Sequence, residues 1–181
     1  MKAIFLDRDG VINRKAPEGE YISRWAEVQF LPGVFSAVLK LSQAGFKIFI
    51  ITNQRGVALR KVRLQDLEDI HSRLKEGFVH HGTAIDGIYF CPHDIAENCL
   101  CRKPKPGLLQ QAARDYALDL PSCWMIGDAS SDVEAGRAAG CRSARIVHAG
   151  VSAQDVPPAD ITAQDLLAAS LKILQFPDKW L

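Results

Sequence analysis

Short apolar runs alternate along this chain with longer stretches whose apolar residues recur at helical spacing, and that alternation leaves few folds open. Ala3-Ile4-Phe5-Leu6, Lys47-Ile48-Phe49-Ile50-Ile51, the segment Ile85 to Phe90, Cys123-Trp124-Met125-Ile126 and Ala144 to Val147 read as strands. The first two are apolar on successive residues, the mark of strands covered on both faces. Between the strands, Phe35, Val38, Leu39 and Leu41 share one helical face, opened by Pro32-Gly33 and closed by Gly45. Leu64, Leu67, Ile70, Leu74 and Phe78 make a second helical stripe, which Gly82 can end. Leu108, Leu109, Ala112, Ala113 and Tyr116 make a third; Asp132 to Ala139 and about Ala163 to Leu174 complete the helices. Strands alternating with helices imply βαβ units, a mainly parallel sheet and an α/β class.

Such crossovers are right-handed, so all strands point the same way and ligands bind beyond their carboxyl ends. The polar candidates sort to that edge. Asp7 and Asp9 follow the first strand, Thr52 and Asn53 the second, Arg102 and Lys103 lie after the third, and Gly127-Asp128 follow the fourth. Scattered surface polar residues would not sort this way.

Asp7 and Asp9 stand two apart, which in extended geometry puts both carboxylates on one side. Two close carboxylates repel unless a cation sits between them or one holds a proton. Mg²⁺ suits such a site, with few protein oxygens, water and a substrate phosphate, and Asp128 adds a third carboxylate. Phosphoryl transfer needs a nucleophile, a proton donor for the leaving oxygen and groups to hold the phosphate. Asp7 can be the first, Asp9 the second, and Thr52 with Lys103 the third. An isolated Asp-x-Asp-Gly is more often a turn; four pieces in order at strand ends are not.

These four pieces resemble the haloacid dehalogenase superfamily of phosphatases. Asp7-Arg8-Asp9-Gly10-Val11-Ile12-Asn13 matches its first motif, Ile51-Thr52-Asn53-Gln54 its second, Lys103 within Arg102-Lys103-Pro104 its third, and Ile126-Gly127-Asp128 with Asp132 its fourth. The match runs from Met1 to about Gly150. It implies a Rossmann-like three-layer α/β/α domain, here one domain over residues 1–181, and an aspartyl-phosphate intermediate. It also implies Mg²⁺ held by the Asp7 carboxylate, the Asp9 backbone carbonyl and Asp128. Asp132 is either a further acidic group or the cap of the helix that follows.

Cys91, His93, Cys99 and Cys101 make a Cys₃His set. Four protein ligands suit tetrahedral Zn²⁺ and leave no open position, so this zinc is structural. Its work is to hold a loop without a core of its own, so that Arg102 and Lys103 point into the site. The remaining histidines, His71, His80, His81 and His148, lack ligand spacing, with His71 placed on the second helix and the others in loops or on the surface. Cys123 and Cys141 are expected near the core. An odd total of five cysteines argues against a disulfide framework.

The zinc loop narrows the resemblance to family members without a large cap, which act on a heptose bisphosphate or on histidinol phosphate. Loops Asn13 to Phe30, Gln54 to Lys61 and the zinc loop then set specificity around an open site. Asn53, Gln54, Arg55, Arg102 and Tyr21 are the expected substrate contacts. The second phosphate of a bisphosphate needs a cation, which Arg102, Arg55, Lys15 or Arg14 can supply. Histidinol-phosphatases typically carry an aspartate where this chain has Arg55, which favours a phosphorylated sugar cleaved at its 7-phosphate. Glu18 and Glu20 in the first loop pull the other way.

The formal net charge of +1 excludes a global field for nucleic acid or an acidic membrane, so a polynucleotide 3′-phosphatase is disfavoured. A zinc-stabilised binding module without catalysis would not need Asp7, Asp9, Lys103 and Asp128 together. No apolar run spans a bilayer, and the N-terminus meets Asp7-Arg8-Asp9 too soon for a signal peptide. The expectation is a cytoplasmic monomer with no membrane or nucleic-acid partner.

Overall fold

A computed structural model describes residues 1–148 and 158–177; Gly150, where the family resemblance ends, lies outside them. Six parallel strands, β1 (Ala3–Leu6), β2 (Lys47–Asn53), β3 (Gly87–Cys91), β4 (Trp124–Gly127), β5 (Arg142–Ile146) and β6 (Ile161–Ala163), form one sheet in the order β3-β2-β1-β4-β5-β6. Their side chains alternate between two cores, as period-two geometry demands. Ile4, Leu6, Ile48 and Ile50 meet Val38 and Leu41 of α1 (Val34–Gln43), Ile70, Leu74 and Phe78 of α2 (Leu64–His80), and Ala169 and Ile173 of α5 (Leu166–Gln175). Ala3, Phe5, Phe49, Ile51 and Met125 face the other way, onto Leu109 and Ala112 of α3 (Gly107–Tyr116) and Ala135 of α4 (Ser130–Ala139). The expected three-layer α/β/α arrangement is therefore present, and no described helix is long and apolar enough to cross a membrane.

The sheet differs from expectation at its ends. β6 is a three-residue edge strand, too short to stand out as an apolar run; Asp160 fixes its start by accepting from the Ser143 amide at 2.8 Å. Thr52 and Asn53 are the last residues of β2 rather than residues after it, because they pair with Phe90 and Cys91 of β3. Gly127 likewise ends β4, beside Arg145 of β5. Cys123 precedes β4 and is buried, as is Cys141. Leu64, at the first turn of α2, is 47% exposed and does not join the apolar stripe.

β1 is flanked by β2 on one side and β4 on the other, so the chain reverses its direction of travel across the sheet there. That reversal opens a crevice at the carboxyl ends of β1 and β4. The Asp7 amide donates to the Ile126 carbonyl at 2.9 Å and closes the floor of the crevice. The long first loop is pinned at its base, where Leu31 N donates to Ile12 O and Arg14 N to Gln29 O, each at 2.9 Å. Phe30 packs against Phe35 and Phe78 with ring centroids 4.7 and 6.1 Å apart, which ties the loop to α1 and α2.

Candidate active site

Asp7, Asp128 and Asp132 converge from the ends of β1 and β4 and the first turn of α4, with carboxylate oxygens within 4.8 Å of one another. Two glycines allow this. Gly10 has φ +95°, and a Cβ there would lie 2.3 Å from Asp128 Oδ2. A Cβ on Gly127 would lie 2.1 Å from Asp132 Cβ, so only glycine lets α4 start this close to the strand end.

Lys103 reaches into the cluster from the loop after β3. Its Nζ donates to Asp7 Oδ1 at 2.8 Å and to the Ile51 carbonyl at 2.8 Å, and lies 2.6 Å from Asp132 Oδ1. Burial opposes its charge, but Asp132 and Asp7 win and hold its pKa above the usual lysine range. Burial pushes the Asp7 carboxyl up to about 7 despite Lys103, with Asp132 and Asp9 adding to the rise. Asp132 Oδ2 also accepts from the Ala129 amide at 3.0 Å, so this residue both caps α4 and orients Lys103. With both of its oxygens engaged, Asp132 leaves Asp7 and Asp128 as the better donors for a cation. Asp128 Oδ1 is buried with no hydrogen-bond partner, an orphaned oxygen on one member of an all-oxygen donor set. Such a set suits a hard divalent cation.

The Asp9 side chain does not join this cluster, contrary to the simple i, i+2 expectation. The backbone turns after β1, and the carboxylate faces Arg8. Arg8 Nη2 donates to its two oxygens at 3.0 and 2.8 Å, Asn13 Nδ2 at 2.9 Å and Gln54 Nε2 at 3.0 Å. Burial favours the neutral acid, but Arg8 with Asn13 and Gln54 overrides it and holds the Asp9 pKa below its ordinary value.

The expected substrate contacts divide. Arg102 lines a cavity of about 350 Å³ with Lys103, Asn53, Asn98 and Ser131, and its buried Nη1 has no partner. Asn53 exchanges hydrogen bonds with the Lys103 backbone, donating to its carbonyl and accepting from its amide, both at 3.1 Å. Gln54 is bound to Asp9 and to Thr52 Oγ1, the latter at 2.8 Å. These two amides hold other site residues. Arg55 Nε lies 2.5 Å from Asp94 Oδ1 and so ties the second loop to the loop carrying the Cys₃His group instead of standing free. Tyr21 packs over Gly56, where a Cβ would come within 2.8 Å of its ring, and clasps the first loop to the second. Lys15, expected as a phosphate cation, instead places Nζ 2.7 Å from Asp128 Oδ2.

Sequence reasoning gave no role to Arg8 or His148. Arg8 is 1% exposed although a charged residue after a strand reads as surface. His148 Nε2 donates to the Gly10 carbonyl at 2.9 Å and lies 3.8 Å from Asp128. It reaches the site because β5 pairs with β4, a neighbour relation without a local signal. His71 lies on α2 as expected, buried, and burial followed by Arg8 pushes its pKa down to about 3.

The Cys91, His93, Cys99 and Cys101 donors form a second compact group. Cys91 Sγ lies 3.5 Å from Cys99 Sγ and 3.6 Å from His93 Nδ1, and Cys101 Sγ lies 3.4 Å from Cys99 Sγ and 3.2 Å from His93 Nδ1. A tetrahedral zinc with Zn–S bonds of about 2.3 Å spaces its ligands by roughly 3.6–3.8 Å, so the four atoms could take zinc with little movement. All five cysteines are free thiols. The loop passes so close to the start of α3 that a Cβ on Gly107 would lie 2.3 Å from the Leu100 carbonyl.

Residues 100–173 match a family described as HAD-hydrolase-like. The D-glycero-β-D-manno-heptose-1,7-bisphosphate 7-phosphatase of Pseudomonas aeruginosa is 37% identical over 176 residues, covering 95% of this chain and 97% of that protein. The enzyme of the same name from Helicobacter pylori is 43% identical over 136 residues, 75% of this chain and 77% of that one. The crystal structure of D,D-heptose 1,7-bisphosphate phosphatase from Bordetella bronchiseptica, complexed with magnesium and phosphate, superposes with a TM-score of 0.88. The sequences are 32% identical, and the match covers 97% of this chain and 99% of that one.

Proposed function

Because the chain belongs to the heptose-1,7-bisphosphate 7-phosphatase family of haloacid dehalogenase-like hydrolases, we propose that it is a phosphoric monoester hydrolase that removes the 7-phosphate of D-glycero-β-D-manno-heptose 1,7-bisphosphate. The observation that carries the reading is the Asp7–Lys103–Asp132–Asp128 cluster at the crevice between β1 and β4. Family membership, the all-oxygen donor set and the magnesium in the Bordetella bronchiseptica relative support Mg²⁺ at Asp7, Asp128 and the Asp9 carbonyl. When bound, the cation neutralises phosphate charge and lets a dianionic ester approach an anionic nucleophile.

In the first half-reaction an Asp7 carboxylate oxygen attacks phosphorus. The bond to the sugar oxygen breaks, and that oxygen takes its proton from Asp9, leaving an aspartyl phosphate. In the second, Asp9 as carboxylate takes a proton from water, whose oxygen attacks phosphorus and releases phosphate and Asp7. Asp9 paired with Arg8 is ready for the second step; serving the first requires its carboxyl to hold a proton and release Arg8. Thr52 and Lys103 hold the transferring oxygens, Lys103 by turning one Nζ hydrogen from Asp7 to the phosphoryl group, with Asn53 fixing the Lys103 backbone. The Cys₃His group, as a structural zinc site, keeps Arg102 and Lys103 in place. Arg102, which lines the cavity beside Lys103 and has a buried Nη1 without a hydrogen-bond partner, is the natural seat of the second phosphate.

Two experiments test this. Asp9→Asn should form phosphoenzyme from a substrate with an activated leaving group, which needs no proton, yet hydrolyse it slowly; equal losses in the rate of phosphoenzyme formation from activated and unactivated esters would remove Asp9 as the acid. A comparison of kcat/KM for the heptose bisphosphate, histidinol phosphate and a 3′-phosphorylated oligonucleotide should favour the first by roughly 100-fold or more, since an unfilled Arg102 seat loses a charge-assisted contact. A preference for histidinol phosphate would overturn the substrate and leave the chemistry standing.

A further inference from the structure

Lys15 extends from the first loop across Gly10, with Cε 2.6 Å from where a Gly10 Cβ would be, and its Nζ lies 2.7 Å from Asp128 Oδ2. Asp128 is 7% exposed at its side chain, whereas Lys15 is 50% exposed. The two ammonium groups at the site therefore differ in kind. Lys103 is 2% exposed and locked between Asp7 and Asp132; Lys15 hangs on a flexible stem from the solvent side and can leave. Three carboxylates crowd within 4.8 Å, and Lys103 answers two of them. Lys15 answers the third, on the residue best placed to hold a divalent cation.

We propose that Lys15 is a built-in competitor of the metal: it neutralises Asp128 in the metal-free protein and must be displaced for Mg²⁺ to bind. Its ammonium occupies one oxygen of a ligand pair, so each binding event breaks a short ion pair with a desolvated carboxylate. The device keeps the metal-free cluster from repelling itself apart and weakens metal affinity in return. The inference rests on the reading that Asp7 and Asp128 hold the cation.

Titration calorimetry of freshly purified, unchelated protein dialysed free of Mg²⁺, with Mg²⁺ added at constant ionic strength and without substrate, tests it. Lys15→Met keeps the stem and removes the charge, and should bind Mg²⁺ roughly fivefold tighter than the parent. Lys15→Arg keeps the charge and should stay within about twofold. The rise in melting temperature on adding Mg²⁺ should be larger for Lys15→Met, because its metal-free form has lost a counter-ion. Parent protein that binds Mg²⁺ while Lys15→Met binds it no tighter overturns the inference alone. If neither takes up Mg²⁺, the metal reading fails and the inference with it.

Discussion

Asp7→Asn is expected to lower kcat by roughly 10⁴-fold or more while the metal-free protein melts no lower than the parent at neutral pH. The amide is nearly isosteric with the carboxylate but a poor nucleophile, so the covalent step is lost. Stability should move the other way, and the sign follows from the Asp7 pKa. Burial raises it from 3.8 to about 7 in the folded, metal-free protein. The ionised form is thus disfavoured by folding; its cost is absent below the unfolded pKa, grows through the acid range and is complete above about 7. Asparagine carries no charge at any pH and removes that cost, although it weakens the contact with Lys103. Activity and melting curves measured on the same preparation separate lost chemistry from lost fold. Near-normal turnover would falsify the assignment of Asp7 as nucleophile, whatever the melting curve shows.

Loss of the Cys₃His group should have the second largest effect. Freshly purified, unchelated protein is expected to carry about one Zn²⁺ per chain. Burial pushes the Cys101 thiol up to about 12 and raises Cys91 as well, so zinc binding should release protons and weaken at acid pH. The loop buries little apolar surface of its own: Leu100 is 79% exposed and Ile95 61%. Yet it carries Arg102 and Lys103 directly after its last ligand. A shift of about 1 Å in a catalytic group can cost about 100-fold, so Cys101→Ser, or zinc removal, should lower kcat/KM by about that factor. Added Mg²⁺ should not restore it. The melting temperature should also fall by several degrees, at about 2–4 °C for each kcal/mol lost in a chain of this size. Metal analysis that finds no zinc in fresh protein, or a Cys101→Ser variant with unchanged kcat/KM and melting temperature, would exclude a structural zinc.

Both predictions start from residues that local pattern made legible. Asp7, Asp128 and Lys103 could be picked out because strand ends in a parallel α/β fold gather at one edge, and a strand announces itself by consecutive apolar residues. The Cys₃His group could be picked out because four such donors within 11 positions of a polar loop have little other use. In both cases the chemistry lies in residue type and short spacing, which are properties of the sequence itself.

What the tertiary structure decided is which partner each charged side chain takes. Arg8, three residues from Val11 in the first motif, is buried against Asp9, and Lys15 crosses Gly10 to reach Asp128, 113 positions away in the chain. Arg55 closes on Asp94 and His148 arrives beside Gly10. These pairings depend on strand order, on the path of long loops and on which carboxylate lies nearest once the backbone is placed. A long charged side chain sweeps several ångströms, and its local sequence does not determine where in that sweep it stops. The sequence by itself determined five of the six described strands and singled out Asp7 and the two candidate donor sets, because burial periodicity and donor chemistry are local. Only the fold decided that Asn53 and Gln54 serve other site residues and that Lys15 pairs with Asp128, because those contacts exist only between segments that folding brings together.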